Sequence, residues 1–396
     1  MTNAILPEVD LLSVTTFRHG HPFDLYASLR ANDPVHRHNE PGGAGFWAVT
    51  RWEDIRFVNA RGDLFAHAPS SLVEEAMTET QPSLVVLEPP EHTQLRKHLI
   101  PDFLPAAVRA RVPSFRHAAE QIVDEVRGHD TCDLVVDVAG RMASYVTADL
   151  LGIPREDAVR LYRFVEIGLA GGQHTSEERL SARRSLREYA IGVWDDRRAH
   201  PREDVSSRLA AATVGDAPIT RDAFCSNFAL LVVGAGDTTR HLIAGGMLAL
   251  LAHPDQLALL RSDTERLMPT AVEEMLRWVT PVVYNRRMAK VDLVLGGRNV
   301  RRGDKVIVYY GAGNRDPEVF ADPDVFDITR SPNNHLAFSG QGAHFCPGAH
   351  VARAEAIAML TVLLREAPDL RLAGEMTYEK SNMVMGPEHM PVSLWP

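Results

Sequence analysis

Apolar side chains recur every three to four positions through four long stretches of the chain: Phe115 to Val126, Leu180 to Arg198, Ala223 past Leu251, and Val351 to Leu364. That spacing gathers them on one helical face and predicts four long helices. Strand signals are sparse. Only "GFWAVT" near Gly45, "DLVLGG" near Asp292 and "KVIVYYG" near Lys305 combine aromatic or β-branched content with turn punctuation. The expected fold class is mainly α with small β-sheets. No internal repeat, low-complexity tract or Ser/Gly linker marks a boundary, so residues 1–396 are read as one domain.

Composition narrows the function classes. The chain has 396 residues, 45% hydrophobic and 24% charged, which suits a globular protein with a large core. No run of eighteen apolar residues occurs, and the first residues lack a basic segment followed by an apolar one. Neither a membrane span nor a secretory signal is expected, and the expected location is cytoplasmic. The net charge of −10 disfavours non-specific binding to nucleic acid. Cys132, Cys225 and Cys346 lie far apart with no C-x-x-C spacing, which argues against a disulfide framework or a zinc finger.

Several stretches do not look like plain core. The third long helix is interrupted by "LLVVGAGDTTRHLIAGG", Leu230 to Gly246. Each glycine there costs roughly 1 kcal/mol relative to alanine. Asp237 and Thr238 must find partners or lose solvation. Small residues leave a groove beside the backbone, and Thr hydroxyls bonding a carbonyl one turn back would loosen the helix. This is either a close helix crossing or a groove for a small ligand, with Asp237 and Thr238 delivering protons. In "TAVEEMLRWVTP", Glu274 and Arg277 share a helical face. "EPPEHTQLRKHL" starts a helix after a double proline and projects His92 and Arg96 at i and i+4, while "PVVYNRRMAK" offers Arg286 and Arg287. Such cationic donors suit a buried dianion.

The stretch "AFSGQGAHFCPGAH" carries Cys346. Pro347 suits the first helical position, which places Cys346 at the N-cap, where the helix end favours the thiolate and lowers its pKa. Gly340 and Gly342 permit a tight loop that brings backbone N–H groups near the sulfur. Three readings compete. A nucleophile would take His344 or His350 as base, but no Asn or Asp stands out to orient it. A Cys/His metal site would use Cys346 and His350, yet two ligands do not make a zinc centre. The third is an axial thiolate on heme iron, with His344, His92, Arg96 and an arginine near 287 serving the two propionates. Only this one uses every unusual stretch.

Taken in order, these motifs resemble the cytochrome P-450 superfamily of heme-thiolate monooxygenases over about residues 20 to 391. "GAGDTT" is similar to A-G-x-[DE]-T-T, "EMLR" to E-x-x-R, "NRDPEVFADPDVFDITR" to the segment before the cysteine loop, and "GAHFCPG" to G-x-H-x-C-x-G. The resemblance implies a triangular helical prism with a long central helix over heme b. It makes Cys346 the metal ligand, places Ala235 and Gly348 beside the cofactor, and assigns His92, Arg96, Arg287 and His344 to the propionates. Asp237 and Thr238 become the acid–alcohol pair. Glu274, Arg277 and Arg330 become a structural ion triad.

Two departures from the family pattern stand out. The order Gly234-Ala235 replaces Ala-Gly, and the aromatic before the cysteine lies one residue further away, at Phe338, with Ser339 inserted. The longer loop and "RSPNNH" look like actinobacterial enzymes acting on sterols and methyl-branched lipids, and the "VVGAGDTTRHLIAGGMLAL" run resembles bacterial alkane hydroxylases. The implied activity is hydroxylation of an apolar steroid, terpenoid or fatty or branched alkyl chain with O2 and two electrons. A tailoring oxidase of a polyketide or other natural product is the alternative, and a peroxide-driven enzyme or a heme sensor fits less well. The implied pocket includes Leu72, Met77, Val85, Val86, Val232, Val282, Val283, Met383 and Met385. Only fifty residues follow Cys346, so electrons are expected from a separate ferredoxin and its NAD(P)H-dependent ferredoxin reductase. Arg96, Lys97, Arg109, Arg111 and Arg353 are the candidate docking patch.

Overall fold

The structure is a computed structural model that describes residues 9–73, 83–169 and 175–395, with the backbone alone at 168 and 169. The helices that build the site are α1 (Trp52–Ala60), α2 (Glu91–Leu99), α3 (Pro105–Glu125), α4 (Gly140–Leu151), α5 (Arg155–Leu169), α6 (Ser176–Ala199), α7 (Arg221–Ala252), α8 (Thr264–Val279) and α9 (Ala349–Glu366). All four helices expected from apolar spacing are present. The segment from Phe115 is the second half of α3, whose first half is masked in the sequence by Pro113 inside it.

Helix α7 is apolar nearly all round and runs through the core for about 48 Å. Thr220 caps it by accepting from the Ala223 N–H at 3.1 Å. It packs against α4, α6, α8 and α9, while α9 lies along α3. Helix α6 opens with a capping box between Thr175 and Glu178.

One five-stranded sheet flanks this body. Its strands are β1 (Val35–His38), β2 (Phe46–Val49), β3 (Phe65–Ala66), β4 (Tyr284–Ala289) and β5 (Lys305–Tyr309), in the order β1-β2-β5-β4-β3. The expected strands at Phe46 and Lys305 run parallel as neighbours, and the one at Leu293 pairs with Arg298–Val300. Strand β4 escaped the sequence reading. It is buried on both faces, so it shows no alternation, and the Arg286-Arg287 pair at its centre disguised it. Beyond it, Pro281 and Val283 hydrogen-bond to Met385 and Met383 and join two segments expected around the substrate. A short hairpin of β6 (Thr377–Tyr378) and β7 (Pro387–His389) follows and packs on α7. Among the described residues, no single helix is long and apolar enough to cross a membrane.

Candidate active site

The Cys346 loop is closed by the Cys346 N–H donating to the Phe338 carbonyl at 3.3 Å. Ser339, Gly340 and Gly342 adopt φ of +72°, +73° and +104°. At Gly342 a Cβ would lie 2.3 Å from the Asn59 carbonyl on α1, so only glycine fits there. Ser339 is not glycine, and it is pinned instead. Its hydroxyl meets the Tyr310 hydroxyl at 3.2 Å, and its carbonyl accepts from Asn59 Nδ2 at 2.9 Å.

Two expectations about Cys346 need correction. Helix α9 begins at Ala349 with Gly348 as its cap, because Gly348 at ψ 1° is not helical; Pro347 is therefore not the first helical residue, nor Cys346 the N-cap. The thiol pKa is raised, not lowered. Burial pushes it up and outweighs the opposing Gly348 N–H, the Arg96 and Arg353 charges and the Ala349 N–H. The N–H groups facing the sulfur are those of Gly348 and Ala349, which follow the cysteine. His350 is exposed.

Beside this loop the structure gathers the expected cationic set. Arg96 on α2 donates to the Phe345 carbonyl at 2.7 Å, and His92, one turn earlier, stacks on His344 with ring centroids 4.0 Å apart. Arg287 on β4 donates to Asn59 Oδ1 at 3.0 Å. His67, just beyond β3, was not foreseen. Its ring stacks on the other face of His344 at 3.4 Å. Strand pairing brings it there, and no local sequence signal marks it. Both ring nitrogens of His92, Nε2 of His344 and of His67, and Nε of Arg287 are buried without hydrogen-bond partners among the described residues. Burial, then neighbouring positive charge, lowers the pKa of His92 and pushes that of His344 down to about 3. Orphaned buried donors beside excess positive charge fit a bound dianion, and the sulfur fits a metal above the same loop. Among the described residues no three His, Cys, Asp or Glu side chains converge to hold a metal ion by themselves.

On α7, Gly234 is exposed, with no atom within 4 Å of where a Cβ would stand, and Ala235 is half-buried. The Thr238 hydroxyl donates to the Gly234 carbonyl at 2.9 Å, but α7 stays unbroken from Arg221 to Ala252, so the expected loosening is absent. Gly236 has a different purpose. A Cβ there would lie 2.4 Å from the Tyr162 ring of α5, so glycine lets that ring cross α7 and its hydroxyl donate to Asp237 Oδ1. Arg240, 4% exposed, donates through Nη2 to the same oxygen at 3.1 Å and to Glu379 Oε1 at 2.8 Å, and through Nη1 to Glu166 at 2.7 Å. Burial, then the Asp237 charge, keeps Tyr162 protonated as a donor.

Glu274, Arg277 and Arg330 also meet. Arg277 grips both Glu274 oxygens at 2.8 and 2.7 Å, and Arg330 reaches Glu274 at 3.3 Å.

Of the expected pocket residues, Leu72 and Met383 line an open cavity of about 1830 Å³ along α5, α6 and α7, together with Asp237 and Arg240. Val85, Val86 and Val282 are half-buried and lie outside that lining. Val232, Val283 and Met385 are corrected to core: they are 2%, 0% and 2% exposed, the last two packed with Phe17, Tyr26 and Tyr309. Met77 lies outside the described residues. The cavity wall is more charged than expected, with Arg163, Arg184, Lys380 and Glu388 among its side chains.

Comparison with known proteins decides the family. The family model described as cytochrome P-450 matches residues 196–367. The methyl-branched lipid omega-hydroxylase of Mycobacterium bovis is 34% identical over 93% of this chain and 90% of its own. The nocardicin C N-oxygenase of Nocardia uniformis is 37% identical over 93% and 94%. The structure of a Mycobacterium marinum cytochrome P-450 in complex with pseudoionone superposes with a TM-score of 0.92 at 33% identity, covering 99% of this chain and 100% of that one. The chain belongs to the cytochrome P-450 family. It is a heme-dependent monooxygenase, and its mainly helical fold with small sheets is that of this P-450 family.

Proposed function

We propose that this P-450 hydroxylates an apolar small molecule, a steroid, terpenoid or methyl-branched alkyl chain, using Cys346 as the heme-iron ligand. The observation that carries the site is the set of buried, unpartnered nitrogens of His67, His92, Arg287 and His344 beside the Cys346 loop. With Arg96 they would hold the propionates. Heme supplies the oxygen-activating chemistry, which thiolate ligation favours. Gly234 and Ala235 leave room along α7, the Gly348 and Ala349 N–H groups temper the sulfur, and Asp237 with Thr238 passes protons. Glu274, Arg277 and Arg330 fix the framework behind the loop.

The relatives acting on a branched lipid and bound to pseudoionone support the apolar reading, as do Leu72 and Met383 on the cavity wall. The nocardicin oxygenase and the charged part of the wall favour a second reading, oxidation of a larger polar natural product. A spin-state titration separates them: terpenoids, sterols and branched fatty acids shift the heme spectrum under the first reading, and only polar natural products do so under the second. Electrons come from a ferredoxin and its reductase in the cytoplasm. Lys97 and Arg109 are the exposed members of the docking patch. Arg111 lies 3.5 Å from Asp102, Arg96 bonds the Phe345 carbonyl, and Arg353 is bonded to Glu273. High salt therefore slows reduction.

A further inference from the structure

The proton that reaches Asp237 must come from solvent, and Asp237 is 15% exposed with its Oδ1 already bonded to Tyr162 and Arg240. One other carboxylate is bound to the same Arg240 nitrogen as Asp237. Glu379 Oε1 stands 2.8 Å from Nη2, while Glu166 is held by Nη1 and is 40% exposed. Glu379 and Asp237 both line the open cavity, so one water can bridge them and others reach Glu379 from outside. The arrangement is built by small residues. Gly236 admits the Tyr162 ring, and at Gly386 a Cβ would lie 2.3 Å from the buried His241 ring, so glycine lets the β6–β7 hairpin settle on α7. The Glu379 N–H then donates to the Gly386 carbonyl at 3.1 Å.

We propose that Glu379 is a second relay carboxylate, which protonates Asp237 and is itself reprotonated from the cavity. The proposal rests on the reading of Asp237 as the proton-delivering acid. In the step, protonated Glu379 gives H⁺ through a bridging water to the Asp237 carboxylate, leaving Glu379 ionised and Asp237 neutral. A hydronium proton from bulk solvent, passed in along cavity waters, then reprotonates Glu379. Arg240 and Tyr162 hold both carboxylates in place and do not transfer the proton.

The charges around Glu379 suit it to both halves of the cycle. Arg240, His241 and Asp237 face it from α7, Glu166 and Tyr162 belong to α5, and Glu388 lies on β7; Asp137, Arg141 and Lys380 line the same cavity. Burial raises its pKa, Arg240 lowers it, and Asp237, Glu388 and Glu166 raise it again, to about 7. His241 stays neutral, through burial and then the Arg240 charge. Glu379 is therefore protonated and able to deliver below pH 7, and loses that proton as pH rises through 7.

Two readouts test this. Infrared difference spectra over pH 5 to 9, taken without substrate or electron donor, should show a carboxylic-acid band that titrates near pH 7 and disappears in Glu379→Gln. In turnover, the parent rate should fall above about pH 7, while Glu379→Gln is roughly tenfold slower and flat with pH, and Glu379→Asp recovers the pH dependence. A Glu379→Gln protein that keeps the titrating band, or the parent rate and pH profile, overturns the relay. If Asp237→Asn is slow while Glu379→Gln behaves as the parent, the relay alone fails. An Asp237→Asn protein with the parent rate removes the Asp237 reading and the relay together.

Discussion

Two arginine–carboxylate clusters in this P-450 use the same chemistry to opposite ends. At Glu274 the carboxylate is fully paired and sealed from water. Both carboxylate oxygens are gripped by Arg277, Asn333 Nδ2 and the Asp327 N–H add further bonds, and Arg277 and Arg330 also donate to backbone carbonyls. At Arg240 three carboxylates share one guanidinium, the Tyr162 hydroxyl donates to one of them, Nε has no partner among the described residues, and the cluster opens on the cavity. A fully paired, dry cluster has one protonation state and acts as architecture. A cluster with too few positive charges and access to water can exchange protons.

The sharpest way to break this comparison is to remove a partner from the sealed cluster. Glu274→Ala strands the buried Arg277 guanidinium, along with the partly buried Arg330, and should cost about 3–5 kcal/mol in urea unfolding. A cost near zero would mean that the cluster is not structural. In the open cluster the large effect should fall on chemistry. Asp237→Asn should slow product formation on the order of a hundredfold, about 2.7 kcal/mol of barrier, with substrate affinity by spin-state titration unchanged.

Glu273, next to the sealed cluster, is intermediate. Burial alone would raise its carboxyl, but hydrogen bonds from Arg353 and His335 outweigh that and hold it at about 2, below the unfolded value of 4.5. Its contribution is therefore present above pH 4.5 and lost as pH falls toward 2. With 29% of the side chain exposed, this amounts to roughly 2 kcal/mol after screening. Urea unfolding at pH 6 and pH 3 should show more than half of that loss, and Glu273→Gln should reduce it. The smallest effect is expected at the exposed edge of the Arg240 cluster, where Glu166→Gln should cost less than about 1 kcal/mol of stability.

Much of the fold was legible because helix periodicity is local. The long helices, three strands and the segments around Cys346, Glu274 and Asp237 could all be read within short windows. What could not be read was what the topology brings together. His67 reaches His344 through strand pairing, Glu379 reaches Arg240 from 139 residues away, and Tyr162 crosses α7 because Gly236 has no side chain. Val283 and Met385 were misread for a related reason: an apolar side chain looks the same in a sequence whether it lines a cavity or fills the core. The inserted Ser339 is now placed, as a left-handed residue tied to Asn59 and Tyr310.

Every functional role proposed for this P-450 depends on Cys346 as the iron ligand. The direct measurement is the carbon-monoxide difference spectrum of the reduced, heme-loaded protein beside its Cys346→Ser variant. The parent should show the strongly red-shifted band of thiolate-ligated heme, and the variant should lose it. A variant that kept the band, or a parent that lacked it, would contradict the assignment.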